Sequence, residues 1–431
     1  MSFFDIKPKR PTKNIGFVST RLAGTDGVSL ETAKWAEIFK SEGFNCFCFA
    51  GELDRPPESS YLAEEAHFTH PEIEDIQRRC FGVTRRDRST TRKIQEIKEH
   101  LKDHLYAFID KFEIDILVPE NALTIPMNIP LGLAITEVLI ETEMLAAAHH
   151  HDFYWERDRF MTNAAWDYLN TAFPPKLPFI RHVVINSFAA EQLSLRTGIS
   201  SVLLPNVMDF DNPPPAPDDY AGDVREALGI EKDELFILQP TRIVRRKGIE
   251  HAIELVSRLG MKARLVISHS AGDEGRDYEN RLREYSEHSN VNTLFAYDVV
   301  DDKRGTTEDG RKIYTLDDIY PHADLVTYPS IFEGFGNAFL EALYFRKPIV
   351  VNTYSIYTKD IKPKGFAVIE LHGYVTQATI DQTKEVLSDP DLCQKIVDHN
   401  YEIAKQHFSY ATLDRGIKNF IAEHPWLFLK V

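Results

Sequence analysis

Short apolar runs recur along this chain with amphipathic stretches between them, and that alternation admits few folds. "NIGFVST" (14–20) reads as a strand. "SLETAKWAEIFKSEG" reads as a helix with Ser29 as its N-cap and Gly43 as its stop, and "NCFCFAG" as the next strand. "IDILVPE" (114–120), "HVVINS" (182–187) and "SSVLLPN" (200–206) continue the series. The segment "MDFDNPPPAPDDYAGD" (208–223), rich in proline and aspartate, then breaks it and reads as a linker or domain edge. The alternation restarts with "LFILQPTRI" (235–243), "KARLVISHS" (262–270), "NVNTLFAY" (290–297), "ADLVTYPS" (323–330), "PIVVNTYS" (348–355) and "GFAVIEL" (365–371), and from about Thr376 the pattern is helical. Strand–helix–strand units imply a mostly parallel sheet with helices on both faces. The expectation is an α/β chain of two doubly wound domains, about 1–210 and 211–409. Ligands sit at the carboxyl ends of strands in such sheets, so a cleft between the domains is the expected site.

Composition narrows the function classes. A chain of 431 residues exceeds one ordinary core. Its net charge of −16 argues against general nucleic-acid binding and against docking on anionic lipid. Cys46 and Cys48 share one face of a strand and bridge poorly, so the four cysteines read as free thiols, and no zinc spacing appears. The opening "MSFFDIKPKRPTKN" has no apolar signal core. "ILVPENALTIPMNIPLGLAITEVLI" (116–140) carries three prolines and several polar groups, which makes it a poor membrane span. A cytoplasmic protein is expected.

Several motifs carry chemistry. In "PSIFEGFGNAFLEAL" (329–343), Glu333 precedes a glycine-rich turn and Glu341 follows it on a helix for which Asn337 is a candidate N-cap. Gly334 and Gly336 let backbone amides approach a phosphate at a helix start, while the two carboxylates accept from hydroxyls on either side. That arrangement suits a nucleotide-sugar, with a polyol at each end of two phosphates; a plain strand–helix corner with solvated glutamates is the alternative. In "PTRIVRRKG" (240–248), Arg242 and Lys247 can converge at a strand end and suit a diphosphate, with Arg245 and Arg246 between them; a solvated basic turn is the alternative. Gly24 and Gly27 in "STRLAGTDGVSLE" allow a tight turn that is neither the dinucleotide fingerprint nor a Walker A loop. "HHHD" (149–152) reads as a histidine at a strand end donating to a sugar hydroxyl, or as a half-exposed turn, sooner than as a metal cluster. The basic run "RRCFGVTRRDRSTTRK" (78–93) either receives an anionic acceptor through Arg85, Arg86 and Arg88 or is a solvated face.

Taken together these segments resemble the family 4 retaining glycosyltransferases of GT-B fold. The carrying residues are "FEGFGNAFLEAL", Arg242 and Lys247 in "RIVRRKG", "GTDGVS", "HHHD", "VINS" (184–187) and "LLPNVMDF" (203–210). The resemblance implies two Rossmann-like domains facing a cleft, with a last helix, about 410–431, returning to the first. It implies that Glu333 contacts the donor sugar, Glu341 the ribose, and Arg242 and Lys247 the leaving diphosphate. The amides of Gly334, Phe335, Gly336 and Asn337 would support the phosphates or sugar, and Gly27 would lie near the diphosphate. His151 matches the histidine beside the donor sugar, with His150 one register away, and Asp152 is assigned to the acceptor side. The family's "PNG" turn is "PNV" here (Pro205, Asn206, Val207), and its glycine-rich strand end is "ISHSAGDEG" (267–275), so both local roles shift.

The implied reaction is hexosyl transfer with retained configuration from a nucleotide-diphosphate sugar to a soluble, anionic small sugar or polyol. No cofactor is expected, and magnesium is not required, since no Asp-x-Asp metal clamp occurs. Assembly of a polysaccharide or lipid-linked glycan is the near alternative. A non-catalytic two-domain nucleotide-sugar-binding protein is the distant one.

Overall fold

The computed structural model describes residues 13–24, 26–271 and 276–423. The chain divides into two compact units. One comprises the residues through Ile185, Ala189–Leu204 and those from Asp414; the other comprises Asn186–Phe188 and Pro205–Leu413.

The first unit holds β1 (Asn14–Val18), β2 (Asn45–Ala50), β3 (Ser60–Leu62), β4 (Ile116–Pro119), β5 (Leu145–His150), β6 (Ile180–Val184) and β7 (Ser201–Leu203). They form one sheet in the order β3-β2-β1-β4-β5-β6-β7, every pair parallel. An all-parallel sheet needs cover on both faces, and β1 and β4 are apolar runs accordingly buried. The helix Arg88–Phe112 buries Ile94, Ile97, Leu101, Leu105, Phe108 and Phe112, a stripe spaced three and four apart, and starts on the Asp87 side chain. The apolar segment at 116–140 resolves into β4, a loop and the helix Ile129–Thr142, which is buried on nearly all sides. No helix among the described residues is long and apolar enough to cross a membrane. Cys46 and Cys48 are buried free thiols, pushed by burial up to about 12 and about 11.

The second unit holds β8 (Leu235–Gln239), β9 (Ala263–Ile267), β10 (Asn292–Phe295), the hairpin β11 (Gly305–Thr306) and β12 (Lys312–Ile313), then β13 (Leu325–Tyr328), β14 (Ile349–Asn352) and β15 (Ile369–Leu371). Its main sheet runs β10-β9-β8-β13-β14-β15, again parallel throughout, as expected for two Rossmann-like units. Two capping expectations are corrected. The helix Gly27–Ser41 starts three residues before Ser29, on Asp26, whose carboxylate accepts from the N–H of Val28 and of Ser29. The helix Asn337–Tyr344 starts on Gly336 with no side-chain cap; Asn337 is its first residue and its side chain instead accepts from Asn206. The glycine-rich segment at 267–275 lies partly, from 272, outside the described residues.

Candidate functional site

In each sheet the strand order reverses direction at one place, between β1 and β4 in the first unit and between β8 and β13 in the second. The carboxyl ends flanking such a reversal open a crevice where ligands bind. The glutamate loop and basic turn lie at the second of these corners and the histidines at the first, while the basic run 78–93 lies elsewhere in the first unit.

At the second corner, the basic turn follows β8 and the glutamate loop follows β13. Gly248 has φ +57, and a Cβ there would lie 2.6 Å from the Pro329 carbonyl oxygen, so only glycine lets the turn lie this close. The Ile331 N–H donates to the Arg246 carbonyl and sews the two loops together. Glu333 is buried between cations: Lys247 donates to one carboxylate oxygen, and Arg246 Nη1 donates to the other at 2.8 Å. Burial pushes the Glu333 carboxyl up, but Lys247 and Arg246 outweigh it and bring it down to about 2. Burial pulls the Lys247 ammonium below the ordinary lysine range, while Glu333 holds it up. The buried Tyr328 ring lies 5.4 Å beneath that ammonium.

Arg242 is exposed and stands within electrostatic range of Lys247 and of His269, at the end of β9. Arg245 turns away into a separate groove of about 540 Å³ shared with Glu250, Tyr278 and Arg281. Two cations, Arg246 and Lys247, therefore flank one ionised carboxylate, with Arg242 within electrostatic range of Lys247. The sequence expectation paired Arg242 with Lys247; the direct partner of Glu333 beside Lys247 is Arg246.

The glycine-rich turn is anchored through its carbonyls. Gly334 O accepts from Asn186 at 2.6 Å, and Phe335 O accepts from the Tyr354 hydroxyl at 2.8 Å. Gly336 has φ +114, and a Cβ there would come within 2.6 Å of the Tyr354 hydroxyl and 3.0 Å of the Tyr328 hydroxyl. No side chain caps this helix, and its Phe339 N–H donates to the Gly336 carbonyl, so an anion at its start would meet the N–H groups of Asn337 and Ala338. Glu341, in the second turn, accepts from the buried Tyr320 hydroxyl at 2.9 Å.

The corner of the first unit has a different chemistry. Glu120 follows β4 and is fully buried; its carboxylate lies 2.9 Å from His149 Nδ1 and 3.5 Å from His151 Nε2. Burial raises that carboxyl to about 7, opposed by His151, and lowers His149 to about 4 and His151 below its ordinary range. His150 points to the opposite side and pairs with His182 at 2.8 Å. Asn121 adopts φ +55, and its side-chain oxygen accepts from the His151 N–H, while its amide donates to Asp152 at 3.0 Å. Asp152 is also bound by Arg157. Glu120 and Asn121 line a cavity of about 140 Å³ with Ser19, Thr20, Arg21 and Asp26. Gly27 is exposed at the adjacent helix start.

Of the basic run, Arg86 is engaged within the unit. Its guanidinium forks onto Asp167 at 2.9 and 2.7 Å, donates to the Ala164 carbonyl and lies 4.3 Å from the Tyr168 ring centre. Arg79 and Lys93 pair with Asp75. Arg85 and Arg88 are exposed. The sequence reading left Arg246 and Glu120 unassigned. A carboxylate directly after the apolar run "IDILVP" was the available signal for Glu120.

A model of the glycosyl transferases group 1 family matches residues 307–403, the segment that contains both glutamates of the loop. A mannosylglucosylglycerate synthase from Petrotoga mobilis is 34% identical over 382 residues, which is 83% of this chain and 86% of that protein. A mannosylglucosylglycerate synthase from Thermotoga maritima is 32% identical over 422 residues, 90% of this chain and 95% of its own. Among solved structures, a sucrose-phosphate synthase from Thermosynechococcus elongatus matches with a TM-score of 0.67 at 15% identity, over 95% of this chain and 98% of that one, a likeness of fold. The chain belongs to the group 1 glycosyl transferases, and its two Rossmann-like units are those of the GT-B fold.

Proposed function

We propose that this protein is a retaining hexosyltransferase of the family 4 type, moving a mannosyl group from a nucleotide-diphosphate sugar to glucosylglycerate or a closely related carboxylate-bearing glycoside. The observation that carries the donor half is the buried Glu333 held between Arg246 and Lys247 at the β8/β13 reversal. With Arg242, this corner has two positive charges in excess, which complements a diphosphate. As the sugar–phosphate bond breaks, charge grows on the leaving oxygen, and Lys247 with the two arginines stabilises it. That cationic set supplies at the leaving group what a divalent ion would otherwise supply, so the transfer runs without magnesium. Glu333 has both oxygens oriented and accepts from the donor sugar's hydroxyls, and Glu341 accepts from the ribose. The acceptor hydroxyl enters on the leaving-group face and gives its proton to the departing phosphate, which retains the configuration. His151, oriented by Glu120 and Asn121, donates to the sugar as a neutral imidazole.

The acceptor half rests on the two relatives, whose names specify a mannosylated glucosylglycerate. The four unbridged cysteines suit the cytoplasm, where thiols stay reduced. The test incubates the purified protein with UDP-, GDP- or ADP-linked mannose or glucose and with glucosylglycerate, glycerate or a neutral glucoside. Mass spectrometry and NMR of the new anomeric centre read the result, with and without a chelator. The expected result is mannosyl transfer to glucosylglycerate, retained configuration and indifference to the chelator. Transfer to no carboxylate-bearing acceptor, or an inverted product, overturns the proposal.

A further inference from the structure

A second cluster lies in the first unit, formed by different residues and unrelated to sugar transfer. His100 and His104 stand four apart on the helix Arg88–Phe112 and therefore share one face. Their Nε2 atoms approach to 3.2 Å with the rings at 87°. Glu65, from the short turn Glu64–Ala66 that follows β3, brings a carboxylate oxygen to 3.4 Å from His100 Nε2. One ligand atom from each of the three lies within 4.8 Å of the others. A tetrahedral ion bound at about 2.0–2.1 Å separates its ligand atoms by about 3.3 Å. The two measured edges, 3.2 and 3.4 Å, bracket that value.

The surroundings are those of a ligand shell. The other ring nitrogen of His104 lies 2.9 Å from the Tyr61 hydroxyl. With the proton on that nitrogen, donated to the hydroxyl oxygen, the Nε2 lone pair is free, the arrangement that orients metal-bound imidazoles. Tyr61 is itself held by stacking on Phe49 at 5.6 Å and by an edge contact with Phe108. His100 is half exposed, so an ion has a path in.

We propose that Glu65, His100 and His104 form a binding site for a divalent first-row transition ion, zinc foremost, with Tyr61 as the positioning residue and water in the fourth place. Two imidazoles and one carboxylate suit zinc, cobalt or nickel over magnesium or calcium. The site's place in the fold gives it a purpose. β3 is the edge strand of the seven-stranded sheet, three residues long, and the turn behind it carries Glu65. An ion bridging that turn to the long helix adds a tie at this edge to the hydrogen bonds that the Asn128 amide donates to the Glu65 and Ala66 carbonyls.

The test uses full-length protein stripped with a chelator, then titrated with cobalt chloride and followed by visible absorption, with zinc chloride as competitor. One equivalent of cobalt is expected, displaced by zinc, with a spectrum of four-coordinate type. His100→Ala should weaken binding by about a hundredfold and Tyr61→Phe by about tenfold. The melting midpoint of the wild type should rise with zinc concentration, and that of His100→Ala should not. His100 is exposed, so its removal leaves the fold intact, and circular dichroism checks this. Failure of the wild type to bind cobalt below millimolar concentration overturns the proposal. So does binding that survives His100→Ala unchanged, which would place the ion elsewhere, for instance at Glu120, His149 and His151.

Discussion

Replacing Glu333 by glutamine keeps the side chain's shape and removes its charge. In the wild type Lys247 and Arg246 overcome burial and hold this carboxyl at about 2, against an ordinary 4.5. That difference is worth about 3 kcal/mol to the ionised form. Lys247 offsets part of it, because burial disfavours its ammonium, but only while Glu333 is there to compensate. Without the carboxylate, a buried lysine faces a neutral amide, so the variant should lose about 3 kcal/mol in the second unit at pH 7. The pH dependence follows from the sign of the shift. A carboxyl depressed in the folded state contributes fully above 4.5 and loses its contribution as pH falls towards 2. The gap between wild type and variant should therefore be flat from pH 7 to about 5 and shrink by more than half by about pH 3. Urea denaturation followed by circular dichroism measures it. Trp35, Trp155 and Trp166 lie in the first unit and no tryptophan lies between 205 and 413, so tryptophan fluorescence reports the first unit's transition as an internal control. Removing one negative charge also makes the corner more cationic, so binding of a nucleoside diphosphate should persist or tighten while turnover falls about a hundredfold or more. Equal stability at pH 7, a gap that does not respond to acid, or unchanged turnover would each refute the reasoning.

Glu120→Gln should act in the opposite direction on stability: its carboxyl, raised by burial to about 7, keeps its proton in the folded state, so wild-type stability falls as pH rises from 4.5 to 7 and then levels. The variant should lack that slope and be the more stable protein at pH 8, as thermal melts across pH will show. Gly336→Ala puts a Cβ at φ +114 against two buried tyrosine hydroxyls and should cost about 2–3 kcal/mol, seen as a lowered melting midpoint with loss of nucleotide binding. Arg86→Ala breaks a fork onto Asp167 and should cost about 1–2 kcal/mol without raising the acceptor KM. The double variant Arg85→Ala, Arg88→Ala should raise the acceptor KM at unchanged stability, and steady-state kinetics will separate the two cases.

Much of this was legible in the sequence because parallel α/β units write themselves as apolar runs separated by amphipathic helices. Runs rich in valine, isoleucine and leucine, such as those that become β4 and β8, were read as strands. β5 was read only at its end, as the strand end that carries the histidines, because "LAAAHH" is alanine-rich and alanine has no strand preference of its own; its place in the sheet comes from pairing with β4 and β6. The short β3 and the hairpin β11–β12 left no periodic signal for the same reason of length. At the site, the glutamate pair was visible as spacing around a glycine-rich turn. Which of four cations meets Glu333 was not, because a turn's rotation decides it: Arg245 and Arg246 are adjacent, yet one lines a separate groove and the other reaches the carboxylate. The ion site was invisible for a plainer reason. Glu65 and His100 are distant in sequence, and only the seating of the long helix beside β3 brings them to 3.4 Å.

The two glutamates show how one topological position carries two chemistries. Glu120 and Glu333 each follow a strand that flanks the reversal of its sheet, and each is buried. Burial alone drives both carboxyls upward. In the first unit the neighbours are histidines, themselves pushed towards neutrality by the same burial, so His151 opposes the rise only in part and Glu120 comes to about 7. In the second unit a lysine and an arginine, bases too strong for burial to neutralise, reverse it and take Glu333 to about 2. A neutral network of imidazole, carboxyl and amide exchanges hydrogen bonds with uncharged hydroxyls and does not attract an anion. A cationic corner around a permanent carboxylate offers surplus positive charge and an acceptor side by side, which is the complement the proposed donor needs in its phosphates and sugar hydroxyls. The doubly wound architecture sets only where the two crevices open; the choice of partners for one buried glutamate sets the charge each corner offers to a ligand.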